Sequence, residues 1–513
     1  MYSHWFVSRQ KRNLTTILSA LIAFSDVCVG EVWSGNEELQ LKFEDELQAR
    51  DITSHGSLRA RFEGKGGGGT RTLFKQLKDL GLVFTEHSNG KCRLTLIGES
   101  LVKGEISFVD AMRMQLQRYQ YPSATTCKGK ASIDSNFKIH PFQFMFRLLN
   151  DSRLDGFLSM NEMSGLVIHY ATSDSDECFE YVVNLILKFR QKIEQDVLID
   201  EFKDDDSNKT YQNIANTIFN YISLCQYTNR YKGIIWVRSG KENEINNFIQ
   251  EKPTYIPLTN VAENYIRYYG RGVASKDLRR FDDHKPFSQK ALNEARICKE
   301  YVLLALKTPI TGITPDIVNS IVSTTGIDEN IVESFLIKNY SSGNIDDFFL
   351  SYKELAYMSR DGATDFELAT CEIFRKIFKM EARHIGPIGN TPDVFVESNQ
   401  ENFCGIIDTK AYKKGYCING DHLRVMEDVY IPTYKKYGHT KKELAFYSYI
   451  SGSFTSNMNN WLAQITADTK VPGSAMPVDI FINFAQDYAH NEYDHNKIRE
   501  VFSVNRIVQL ADI

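Results

Sequence analysis

The sequence predicts a multidomain protein with mainly α, winged-helix-like modules in its N-terminal half and a mixed α/β domain at its end. Three observations predict this. The chain has 513 residues, more than one compact core accommodates. In "TRTLFKQLKDLGLVFTEHSNGKCRLTLIGESLV" a helical stripe is followed by two short strands joined at Asn89-Gly90, a hairpin turn pair. From about residue 346 the apolar pattern becomes helix, strand, strand, helix, strand, helix, the alternation of an α/β layer.

The first domain is expected over 1–140. After the break "EGKGGGG", Leu73, Leu77 and Leu80 recur at helical spacing, and Gly81 closes the helix. Helix and then two-stranded wing is the order of a winged helix. Further winged-helix-like subdomains are expected over 141–270. There "PFQFMFRLL" reads as a helix, Ser159 and Glu162 are spaced as a capping box, and "YQNIANTIFNYISLCQYTNRY" reads as a helix before the strand "KGIIWVRS". The acidic run Asp200–Ser207 reads as a solvated loop. Residues 271–345 read as a helical linker, with the basic "GRGVASKDLRR" (Gly270–Arg280) at its head. Residues 346–513 form the α/β domain.

Composition narrows the class of function. A net charge of −5 excludes a chain that is basic throughout, so any surface for nucleic acid is local. One such region exists, because residues 58–93 hold eight Lys and Arg against three Asp and Glu. The nine cysteines are scattered with no CxxC pair, which fits reduced thiols in a cytoplasmic protein and neither a disulfide framework nor a zinc site. Arg9, Lys11 and Arg12 before "ILSALIAF" imitate a signal peptide. The apolar run is short and no cleavage site follows, so an amphipathic first helix is the reading. No segment is long enough to span a bilayer.

The stretch "GNTPDVFVESNQENFCGIIDTKAYKKGY" (Gly389–Tyr416) carries the chemistry. Strand side chains alternate faces, so Ile406, Asp408 and Lys410 share one face of "FCGIIDTK", and Asp393 and Phe395 share one face of "PDVFV". A hairpin at "ESNQEN" brings the two acids side by side. Paired carboxylates repel and are costly to desolvate, and Mg²⁺ removes both penalties because it prefers carboxylate oxygens and retains water. Lys410 then adds a positive charge near a scissile phosphate or an attacking water, which fits metal-assisted phosphodiester hydrolysis.

Asp393, fourteen residues, then Asp408-Thr409-Lys410 matches the PD-(D/E)xK nuclease signature. "FELATCEIFRKIF", "GNTPDVF", "GIIDTKAYKKGY" and "FYSYISGSF" resemble, in order, the cleavage domain of FokI and related type IIS restriction endonucleases, over roughly 350–510. "TRTLFKQLKDLGLVF", "RLTLIGESL" and "QRYQYPS" resemble the AlwI family of type IIS and nicking endonucleases. The resemblance implies Asp393 and Asp408 as metal ligands and Lys410 as a catalytic residue. It also implies one more catalytic acid on the preceding helix, for which Glu367 stands in place. Glu367 shares a stripe with Cys371, Phe374 and Phe378, while Thr364-x-x-Glu367 also matches a capping box. In such domains a helix placed as Asp421–Tyr437 is contributes to pairing of two cleavage domains.

The expected fold is therefore multidomain, with mainly α winged-helix-like DNA-recognition domains followed by an α/β restriction-endonuclease-like (PD-(D/E)xK) cleavage domain. Arg59, Arg61, Lys65, Arg71, Lys75 and Lys78 cluster at the start of the first recognition helix and are the expected contacts to double-stranded DNA. The resemblance implies a transient homodimer through the cleavage domain and a separate DNA methyltransferase, since the chain carries no methyltransferase motif. His422 and His439 have no ligand at metal spacing and read as exposed. "GKGGGG" lacks the Gly-Lys-Ser/Thr of a Walker loop. Two alternatives stand beside this reading. One is a strand-specific nicking enzyme or the large subunit of a heterodimeric enzyme; the other is a winged-helix DNA-binding regulator with an inactive nuclease fold.

Overall fold

Helices in the N-terminal half follow apolar stripes whose ends are marked by glycine or by capping side chains. The computed structural model describes residues 4–7, 16–50, 52, 68–126, 136–191, 205–258, 261–281, 289–386, 391–412, 414–491 and 493–513. They divide into two units, Met1–Glu300 and Tyr301–Ile513.

In the first unit, α1 (Thr16–Cys28), α2 (Glu37–Ala49) and α3 (Gly68–Asp79) surround an aromatic core. The Phe24 ring stacks on Phe74 at 5.2 Å and meets the edge of Phe43 at 5.6 Å. The expected amphipathic first helix is instead buried around most of its circumference, because α2, α3 and the helix Leu96–Val102 all pack on it. Gly81 takes φ +68° just past α3, and a Cβ there would lie 2.4 Å from the Tyr269 ring. The expected hairpin follows: β1 (Val83–Thr85) pairs antiparallel with β2 (Cys92–Leu94), with Gly90 at φ +73° in the turn. Asn36 and Thr95 cap α2 and the helix after β2 with their side chains.

Further along, β3 (Phe157–Ser159), β4 (Thr228–Tyr231) and β5 (Ile234–Val237) form a second small sheet in the order β3-β5-β4. Ser159 and Glu162 form the expected capping box. Two local readings are corrected. The helix read as running to Tyr231 stops at Ser223, and "TNRY" becomes β4 because it pairs antiparallel with β5. The acidic run is no loop over its described part, because the helix Asp205–Ser223 begins within it.

The second unit is built on a mixed sheet in the order β10-β9-β8-β7-β6. Its strands are β6 (Glu381–His384), β7 (Val394–Ser398), β8 (Phe403–Lys410), β9 (Glu443–Ser451) and β10 (Gly473–Pro477). Strand β7 pairs antiparallel with both β6 and β8, and β8, β9 and β10 run parallel. On one face Phe395, Ile406, Tyr449 and Ala475 pack with Tyr416, Met426 and Leu462 from the crossover segments. On the other, α4 (Ala363–Lys376) and the helices Val478–His490 and His495–Phe502 bring together Phe374, Phe378, Phe481, Phe484 and Phe502. No helix among the described residues is long and apolar enough to cross a membrane.

Candidate active site

Strand β7 turns back into β8 through residues 399–402, as "ESNQEN" suggests, with Val394 opposite Ile407 and Phe395 opposite Ile406. Continuing that register by one step sets Asp393 opposite Asp408. Both then extend the face of Phe395 and Ile406, past the end of the apolar core.

The backbone N–H of Thr409 donates to Asp393 Oδ2 at 2.6 Å, and the Thr409 hydroxyl donates to the same oxygen at 3.0 Å. Lys410 Nζ stands 2.6 Å from Asp408 Oδ2. Burial and the Asp408 charge push the Asp393 carboxyl well above the usual carboxylate range, with Glu367 adding to the rise; Lys410 and the Thr409 N–H pull the other way. Burial alone would lower the Lys410 ammonium, yet Asp408 and Asp393 together hold it above its ordinary value. The site thus sets the Lys410 cation beside Asp393, a carboxyl that burial and the Asp408 charge drive toward protonation.

The donor set fits a hard divalent cation. Asp408 Oδ1 is buried and has no hydrogen-bond partner among the described residues, a costly state for a carboxylate oxygen. No group of three or more His, Cys, Asp or Glu converges for a metal among the described residues. Two carboxylates are nevertheless the kind of partial set that Mg²⁺ accepts, since it completes its octahedron with water and phosphate oxygens.

Glu367 lies on α4, which starts from Gly362 without a side-chain cap, so the Thr364–Glu367 capping box does not form. Instead Glu367 Oε2 meets His384 Nε2 on β6 at 2.8 Å. His384 pairs across the sheet with Val394, so it stands on the α4 side of the strand that Asp393 leads into. Sequence reasoning missed His384 because its partner lies on another element. It also missed Tyr430. This residue ends a π-helical turn, Met426–Tyr430, and packs against the Phe395 and Ile406 cluster. Burial and Asp408 push its phenol up, while Lys410 opposes them. Among the described residues the Tyr430 hydroxyl makes no hydrogen bond; Tyr437 bonds to its carbonyl.

His422 departs from its expected exposure: it is half-buried, with Nδ1 2.8 Å from the Tyr416 hydroxyl. Burial and then Lys410 lower its pKa.

The basic residues of the first unit behave differently from one another. Arg59, Arg61 and Lys65 lie outside the described residues. Arg71 is exposed and donates to Gln40. Lys75 pairs with the buried Asp79 at 2.6 Å. Lys78 reaches Thr85 and lies over the Phe74 ring, and burial lowers its pKa. One helical stripe therefore carries one outward cation and two that are drawn toward the core.

A mixed sheet with two acids and a lysine at the ends of adjacent antiparallel strands is similar in arrangement to a PD-(D/E)xK-type nuclease domain. More particularly, residues 326–509 match the family model of the FokI cleavage domain, and residues 109–266 match that of the N-terminal domain of the type II restriction endonuclease HgaI. Two separate stretches of the chain are thus similar to restriction-endonuclease domains, the first to the N-terminal domain of HgaI and the second to the cleavage domain of FokI. The type II restriction enzyme StsI of Streptococcus sanguinis is 23% identical over 171 residues, 31% of this chain and 28% of StsI. The chain therefore matches less than a third of the length of that relative. Among solved structures, restriction endonuclease FokI aligns with 98% of this chain and 99% of its own at 11% identity and a TM-score of 0.30. The BpuJ1 endonuclease binding domain, solved with modified DNA, covers 51% of this chain and 92% of its own at 13% identity and a TM-score of 0.35.

Proposed function

We propose that this protein is a type IIS restriction endonuclease: it reads a short asymmetric site in double-stranded DNA and hydrolyses phosphodiester bonds outside that site, with Mg²⁺ as cofactor. The observation that carries the reading is the convergence of Asp393, Asp408 and Lys410 at the ends of β7 and β8, in the domain that matches the FokI cleavage domain.

In this reading Asp393 and Asp408 hold the cation. When bound, Mg²⁺ supplies Lewis-acid stabilisation of the phosphate and a more acidic water. Thr409 fixes the Asp393 carboxylate through two donated hydrogen bonds. Lys410 holds a full positive charge beside the reacting phosphate and orients the attacking water. Glu367, steadied by His384, supports the metal site from the α4 side. One such centre cuts one strand, so a double-strand break requires two cleavage domains on the DNA, that is, a transient homodimer. A separate methyltransferase would protect the host, and the protein would act in the cytoplasm.

The N-terminal unit is assigned the recognition of DNA. Helix α3 followed by the β1–β2 hairpin has the order of a winged helix, and we assign it that role within a first domain over 1–140. Further recognition subdomains over 141–270, a linker over 271–345 and the cleavage domain over 346–513 complete the proposed organisation. Of the six expected contacts, Arg71 is the described one best placed to reach DNA. Lys75 and Lys78 would have to leave their present partners to do so, and Arg59, Arg61 and Lys65 are assigned on charge alone.

Run-off sequencing of products from a random duplex library with Mg²⁺ tests the reading, because it returns site, offset and strandedness together. The expected result is cutting at a fixed distance from one motif, abolished in Asp393→Ala and Asp408→Ala while specific binding persists. Linear product from a supercoiled plasmid indicates double-strand cleavage; open circles alone indicate a nicking enzyme. Undiminished cutting in either variant overturns the assignment.

A further inference from the structure

The two most exposed large hydrophobic residues among those described lie in one short loop of the N-terminal unit. Val273 is 91% exposed and Leu278 71%. The loop runs from Gly270, at the end of the helix Ala262–Tyr269, to Phe281. Exposure of this kind on a slack segment would mean little, but this loop is pinned at many points. Ile97 N–H donates to Gly270 O at 2.9 Å, and Arg118 donates to Gly272 O at 2.7 Å. Arg267 donates to the carbonyls of Asp277 and Arg279 at 3.2 and 2.7 Å. Arg279 in turn donates to Leu94 O at 3.0 Å, at the end of β2, and pairs with Glu99. The loop is therefore fastened beside the β1–β2 hairpin by half-buried arginines that donate to main-chain oxygens.

Its charge is sorted as well as its shape. The one acid, Asp277, is turned inward and fully covered, paired with Arg267 at 3.3 Å and Arg279 at 2.8 Å. Those partners draw its carboxyl below the usual range in spite of burial, which pushes the other way. What faces outward is Lys276 and Arg280, both exposed, and Arg271, half-exposed with its guanidinium over the Tyr268 ring at 4.0 Å. A rigid loop that neutralises its own acid and presents three cations around two bare aliphatic side chains fits a polyanion that also offers an apolar slot.

We propose that residues 271–280 form a DNA-contact element in which Arg271, Lys276 and Arg280 meet phosphates while Val273 and Leu278 press into the minor groove. Apolar side chains inserted there part the base steps, and flanking cations follow the backbone on either side. A major groove takes an α-helix or a two-stranded β-ribbon, and residues 271–280 form neither. This element deepens the proposed recognition role of the N-terminal unit and rests on it.

The test uses the full chain carrying Asp393→Ala, so that DNA stays intact, and a fluorescent random-sequence duplex followed by anisotropy across a series of NaCl concentrations. Arg271→Ala/Lys276→Ala/Arg280→Ala is expected to reduce the slope of log K against log salt by about 2 to 3, one phosphate per cation. Val273→Ser/Leu278→Ser is expected to weaken binding roughly tenfold with the slope unchanged, and to lose minor-groove protection in hydroxyl-radical footprints. Thermal melting of each variant, matched to the parent, establishes that the loop rather than the fold has changed. Wild-type slope and footprint in both variants overturn the loop's role and leave the recognition reading intact. A parent chain that fails to bind the duplex at all overturns both.

Discussion

Asp393 receives two hydrogen bonds from a single residue of the neighbouring strand, the backbone N–H and the hydroxyl of Thr409, both onto Oδ2. The middle residue of Asp408-Thr409-Lys410 thus sets the orientation of the first acid of the motif, while its neighbours form an ion pair on the opposite side chain alternation. Donors to a carboxylate favour its ionised form, so Thr409 offsets part of the rise that burial and Asp408 impose on Asp393.

Thr409→Val removes the hydroxyl and keeps both shape and backbone donor. A hydrogen bond to a charged group is worth ~1.5–3 kcal/mol, so cleavage at limiting Mg²⁺ is expected to fall roughly tenfold. The acidic limb of the pH–rate profile should move to higher pH, since Asp393 loses a group that favours its charge. Metal titration and pH profiles of single-turnover cleavage check both.

The elevated Asp393 carboxyl makes the metal-free fold sensitive to pH. Because the folded value lies above the unfolded one of about 3.9, the stability tied to this group is full below the unfolded value and is lost as pH rises through the folded one. Without metal, the cleavage domain is expected to melt at lower temperature as pH rises from mildly acidic to neutral. Asp393→Asn should flatten that dependence, and Mg²⁺ should stabilise the parent far more than the variant. Calorimetry in EDTA and in excess Mg²⁺ measures each.

Glu367 and His384 are expected to act as one unit. Partners that orient a metal-site acid typically matter by about 10- to 100-fold, so Glu367→Gln should cost cleavage in that range and raise the Mg²⁺ requirement. His384→Ala should reproduce a large share of the loss, and the double variant should be no worse than Glu367→Gln alone. Additive losses in a double-mutant cycle would separate the two residues.

Tyr430→Phe keeps the ring in the Phe395 and Ile406 cluster and keeps the Tyr437 bond to the Tyr430 carbonyl. Only the hydroxyl, which feels the charges of Asp408 and Lys410, is lost. If that group donates to the scissile phosphate, the cleavage step should slow by roughly tenfold, the scale of one lost hydrogen bond, with DNA affinity unchanged. Single-turnover rates set beside equilibrium binding decide it.

Elements with strong local patterns were legible and those chosen by remote packing were not. The β7–β8 hairpin followed from alternation within one short stretch. Strand β10 did not: "GSAMP" is small because the Tyr447 ring covers Gly473, where a Cβ would lie 2.1 Å from the ring. Strand β6, "EARH", lies at the sheet edge with no apolar alternation to announce it. Lys75 and Lys78 share the stripe of Arg71, and only the fold shows Asp79 and Phe74 drawing them inward.

The sequence by itself determined the motif of two acids and a lysine and its placement on one face of two strands, because side-chain alternation is a property of the backbone and needs no distant partner. Tertiary structure alone decided which side chains surround that motif. His384 reaches Glu367, and Tyr430 comes under the charge of Asp408, only once the sheet has ordered and the crossover helix has packed, since contacts between separate elements are fixed by packing and leave no periodic trace in the chain.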